Sequence, residues 1–94
     1  MKKSEKHLRA WRSGAKNDVP GEAVKLVLDD FGFSIRQDGG NHWLAYHDGI
    51  RNNPHFPIGR FRINAHYKRQ GVVHPSAIND VLRAVDHRRE LDHD

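Results

Sequence analysis

Residues 20–37 read PGEAVKLVLDDFGFSIRQ, and the period of their apolar side chains changes at Gly32. Before it, Val24, Val27, Leu28 and Phe31 fall at i, i+3, i+4 and i+7, one stripe of an amphipathic helix over 20–31. Pro20 suits the first turn of that helix, and Asp18 stands where a capping side chain is expected. Gly32 favours the left-handed cap that ends a helix. After it, Phe33 and Ile35 alternate with Ser34 and Arg36, the pattern of a half-buried strand over 33–37.

Working outward, Asp38-Gly39-Gly40 reads as a turn, because glycine readily takes positive φ. A second strand follows over 41–47. Its alternation sets His42 with Leu44 and Tyr46, and Trp43 with Ala45 and His47. Both sets carry bulk, so periodicity alone does not choose the buried face. Residues 48–57 hold two prolines and read as a long connection. Residues 58–66 give the cleanest strand: Phe61, Ile63 and Ala65 on one face, Arg60, Arg62, Asn64 and His66 on the other. A basic loop over 67–73 leads to Pro75, which opens a second helix with Ile78, Val81, Leu82 and Val85 at helical spacing. The charged stretch from Arg88 onward is expected to fray.

In front of this order, Leu8 and Trp11 are three residues apart, the spacing of a short helix over 4–12 that Gly14 would end. The same residues also read as a flexible basic arm. The expected organisation is a basic N-terminal extension over 1–18 and a single domain over 19–94. Removal of residues 1–16 is expected to leave the fold intact. The expected class is α+β, in the order α-β-β-β-α. Two amphipathic helices need one apolar surface to cover, and a three-stranded antiparallel sheet with both helices on one face supplies it. That is the layout of a double-stranded-RNA-binding domain.

The net charge is +4, distributed in blocks. Residues 1–19 carry +4 and residues 49–79 carry +5 with no acid, while residues 20–48 carry −3 and residues 80–94 carry −2. Basic blocks attract phosphate backbones at long range, although solvated lysine-rich and arginine-rich segments are common. The absence of cysteine excludes disulfides and thiolate metal sites and fits a cytoplasmic setting. The apolar runs are too short to span a membrane, and the basic start lacks the apolar stretch of an export signal.

Eight histidines stand out, most of them expected to be plain surface residues. His42 and His47 would point to opposite faces of their strand, and Asp86-His87 and Asp92-His93 fall near the end of the chain. No compact ligand spacing is present, so neither a metal site nor a cofactor is expected.

Several of these segments resemble one family. Leu28-Asp29-Asp30-Phe31-Gly32-Phe33-Ser34-Ile35-Arg36-Gln37 is similar to the helix end and first strand of the HicA-type (YcfA-like) mRNA interferase toxins. Gly40-Asn41-His42-Trp43 stands where that family has Gly-Ser-His-His, with Asn41 for the serine and Trp43 for the second histidine. Ile63-Asn64-Ala65-His66, Lys68-Arg69-Gln70-Gly71 and the segment Pro75 to Leu82 resemble its last strand, basic loop and last helix. The resemblance covers roughly residues 19–86. It implies a cytoplasmic endoribonuclease of the double-stranded-RNA-binding-like fold, with His42 as the catalytic residue and a HicB-like antitoxin as partner.

RNA carries its own nucleophile, the 2′-hydroxyl beside each phosphate. A base that removes its proton starts attack on phosphorus, and an acid protonates the departing 5′-oxygen. Histidine suits this near neutral pH, and no metal is required in principle. His66 is a candidate acid or phosphate contact, and Arg60, Arg62, Lys68 and Arg69 are candidate RNA contacts. Trp43 and Tyr46 could stack on bases or fill the core. Three readings therefore stand side by side: an mRNA-cleaving toxin, a non-catalytic RNA-binding module of the same fold, and a subunit whose open face binds only protein. RNA cleavage separates the first two, and salt-dependent RNA binding separates the last two.

Overall fold

The computed structural model describes residues 3–40, 42–67 and 69–92. The order is α1 (Lys3–Arg12), α2 (Gly21–Asp30), β1 (Ser34–Gln37), β2 (His42–Tyr46), a 3₁₀ turn (Asp48–Ile50), β3 (Arg60–Asn64), β4 (His66–Tyr67), β5 (Arg69–Gln70) and α3 (Pro75–Asp92). Strands β1-β2-β3 form an antiparallel meander, and β4-β5 make a separate hairpin. The fold is thus α+β, with three α-helices among the described residues, the first of them the short front helix that the spacing of Leu8 and Trp11 allowed.

The change of period at Gly32 becomes a tight junction. Phe33 N–H donates to Leu28 O at 2.9 Å and Gly32 N–H to Asp29 O at 3.0 Å, with Gly32 at φ +82°. These two bonds satisfy the last carbonyls of α2 and aim Phe33 back at the buried Leu28. At the other end of α2, Asp18 does not cap. It has φ +57°, Pro20 holds the cap position, and no side chain bonds there. Gly21 N–H is satisfied instead by Gly71 O at 2.8 Å, so a tertiary strand contact replaces the local cap.

Register decides the sheet faces. Ile35 pairs with Ala45 and Ala45 with Phe61, while Trp43 pairs with Gln37 and Ile63. This row meets the helices, and Ala45, Phe61 and Ile63 are buried. The connection over 48–57 is more than a linker: Ile50 and Phe56 are fully buried, and the Phe56 and Phe61 rings lie 5.1 Å apart. They plug the end of the core that the short strands leave open.

The front segment is a helix and belongs to that core. Leu8 is 1% and Trp11 3% exposed, and α1 packs on both α2 and α3. Ser4 Oγ bonds the Asp30 carboxylate, Arg12 pairs with Asp86, and Arg89 pairs with Glu5. An intact fold without residues 1–16 is therefore not expected from this packing. The same contacts explain why α3 continues to Asp92 instead of fraying from Arg88: Arg88 Nε lies 2.8 Å from His47 Nε2, and the Arg89 guanidinium sits 5.0 Å from the Phe31 ring centroid.

Candidate nucleic-acid interface

The face of the sheet turned away from the helices carries the alternate residues of all three strands. Its rows are Ser34, Tyr46 and Arg60, then Arg36, Leu44 and Arg62, then His42 and Asn64. Three arginines thus come from two different strands. They converge because antiparallel pairing with a side-chain period of two places partners on one face.

His42 enters this face directly from the glycine turn. Gly39 and Gly40 have φ +68° and +47°, conformations that suit glycine. Asp38 N–H donates to His42 O at 2.8 Å and His42 N–H to Gly39 O at 3.0 Å, closing the hairpin. His42 is half-buried. Asn41, which occupies the serine position of the resembled motif, lies outside the described residues.

Trp43 points the other way. Its ring covers Gly21, the first residue of α2, and Lys25 Nζ stands 4.4 Å from the ring centroid. Trp43, which stands where the resembled motif has its second histidine, is therefore a packing residue on the face opposite His42. Tyr46 is the aromatic residue of β2 on the open face, 37% exposed.

The arginines differ in their surroundings. Arg62 Nη2 donates to Asp38 Oδ2 at 3.0 Å, an exposed ion pair that offsets part of its charge. Arg36 and Arg60 are exposed and form no ion pair among the described residues. Arg36 carries no distinguishing sequence signal, since its role depends on register with β2. A hollow of about 260 Å³ opens between these two, lined by Ser34, Ile35, Arg36, Leu44, Tyr46 and Arg60.

His66 lies beyond a break at the buried Ala65, in the β4-β5 hairpin rather than in the main sheet. Its N–H donates to Asn64 Oδ1 at 2.9 Å, so its backbone is tied to the residue opposite His42. Arg69 belongs to β5. Its side chain, and Lys68 as a whole, lie outside the described residues. Two other histidines have structural surroundings. His47 Nδ1 faces Gly49 N–H at 2.9 Å and its Nε2 faces Arg88 Nε, only one of which a neutral ring can accept at a time. His74 Nδ1 accepts from Ser76 N–H at 3.0 Å at the start of α3.

No family model, curated protein or solved structure matches the chain. Among the described residues no helix is long and apolar enough to cross a membrane, and no three His, Asp or Glu side chains gather into a metal-ligand set. Among the described residues, the open face of the three-stranded sheet combines a shallow cationic surface, the exposed Tyr46 and the His42 imidazole at the start of the central strand.

Proposed function

We propose that this chain is an mRNA-cleaving toxin of the HicA type, built on a double-stranded-RNA-binding-like core and acting in the cytoplasm. The observation that carries this reading is that His42 shares the open sheet face with Arg36, Arg60 and Arg62. The arginines would hold the phosphate backbone and leave a 2′-hydroxyl at the edge of the face. His42 takes the proton of that hydroxyl. The freed oxygen bonds to the adjacent phosphorus, the bond to the 5′-oxygen breaks, and that oxygen takes up a proton from an acid. The products are a 2′,3′-cyclic phosphate and a 5′-hydroxyl end. His66 and water are the candidate acids. This route draws on no metal or cofactor.

The replacement of the motif's second histidine by Trp43 takes nothing from this face, because Trp43 is packed on the opposite one. A HicB-like antitoxin would complete the system by covering the face and offering acidic groups to Arg36 and Arg60. The alternative reading, an RNA-binding module without cleavage, is favoured by the position of His66 outside the main sheet.

The test is incubation of the purified full chain with mRNA in excess chelator, followed by analysis of the ends. Cleavage leaving 2′,3′-cyclic phosphates supports the toxin reading. Salt-dependent binding without cleavage supports the module, and cleavage that returns only with added magnesium overturns the route described.

A further inference from the structure

The hollow on the open face lies at the end away from His42, and its chemistry is distinct from that of a plain cationic surface. Leu44 is its apolar residue on the open face, and Tyr46, Arg36 and Arg60 stand around it. The tyrosine ring is held in place. Its hydroxyl donates to Asp48 Oδ1 at 3.2 Å, and Asp48 is in turn paired with Arg51 Nε at 3.3 Å. On its other side the ring rests against Gly59, where a Cβ would come within 3.3 Å of Tyr46 Cε2 and 3.0 Å of Arg51 Cγ. Gly59 has φ +74°, so both its conformation and the space above it favour glycine.

An exposed aromatic ring beside the apolar Leu44, between two arginines that form no ion pair among the described residues, matches the needs of an unpaired nucleobase. The base stacks on the ring while its flanking phosphates meet guanidinium groups. A paired base is already stacked within its duplex and cannot enter without being extruded. An acidic peptide would satisfy the arginines but would make no use of the ring and of Leu44 beside it.

Resting on the RNA reading given above, we propose that the Tyr46 hollow is a base-binding subsite for single-stranded RNA, set apart from the cleavage position. Tyr46 and His42 are four residues apart on β2, roughly 13 Å at the usual strand rise. Adjacent stacked bases in a duplex strand are about 3.4 Å apart. The held base is therefore not a neighbour of the attacked phosphate. It lies further along the strand, and it sets which bond reaches His42.

The experiment measures binding of the full chain, in the His42→Ala form so that RNA survives, to a labelled single-stranded RNA, to the same RNA annealed to its complement, and to an oligo-glutamate peptide. Tyr46→Ala should weaken single-stranded binding by about tenfold, the scale of one base–aromatic contact. Duplex binding and the salt slope should stay unchanged, and Tyr46→Phe should keep most of the affinity. The subsite is overturned, with the RNA reading intact, if Tyr46→Ala binds single-stranded RNA as before while Arg60→Ala does not, or if single-stranded and duplex binding fall together. Failure of the parent protein to bind any RNA overturns both readings. Binding of the peptide alone would in addition make the face a protein interface.

Discussion

The outer edge of the Trp43 ring abuts Gly21: a Cβ at that glycine would overlap Trp43 Cη2 and stand 3.2 Å from Cζ2. This contact locks β2 to the start of α2 and so turns His42, the preceding residue, toward the opposite face. Gly21→Ala should therefore destabilise the fold by about 1–3 kcal/mol, the usual cost of overpacking. The sign is informative, since alanine in place of a helical glycine ordinarily stabilises by roughly 0.5–1 kcal/mol. Chemical denaturation checks it; a variant more stable than the parent would mean that the ring moves aside at no cost.

Trp11→Ala should cost about 3–5 kcal/mol, as for other buried aromatics, although it sits in a segment that periodicity leaves outside the main stripes. Deletion of residues 1–16 should lower the thermal midpoint sharply or abolish cooperative unfolding. An unchanged midpoint would show that α1 adds nothing to the core.

Replacing His42 with alanine should lower RNA cleavage by about a hundredfold to ten-thousandfold, the share of one acid-base group. Affinity and thermal stability should change little, because His42 is half-buried at the start of the central strand and binding rests on arginines. A folded variant that cuts at the original rate would remove His42 from the mechanism and turn attention to His66.

Arg60 and Arg62 should not behave alike. Arg60→Ala should flatten the salt slope of RNA binding by about one unit. Arg62→Ala should do less, because Asp38 already occupies its guanidinium. Asp38→Asn should tighten binding by freeing Arg62. Titrations at several salt concentrations decide the matter, and equal slopes for the two arginine variants would show that the ion pair opens when RNA arrives.

Much of the architecture is legible along the chain because it is local. The stripe from Val24 to Phe31, the left-handed Gly32, the glycine turn before His42 and the alternation of Phe61 and Ile63 each depend on residues a few positions apart. Such periods place side chains relative to one another on the same element, and they correctly set Arg60 on one face with Arg62 and His42 on one face with Tyr46. They do not say which side of an element faces the interior when both sides carry bulk, as in β2. That depended on Gly21, more than twenty residues away, whose lack of a Cβ leaves room for the Trp43 ring. The membership of Leu8 and Trp11 in the core, the burial of Ile50 and Phe56 from a loop, and the pairing of Arg62 with Asp38 are likewise decided by partners distant in sequence. Burial and charge pairing are properties of assembled surfaces, and only tertiary structure brings those surfaces together.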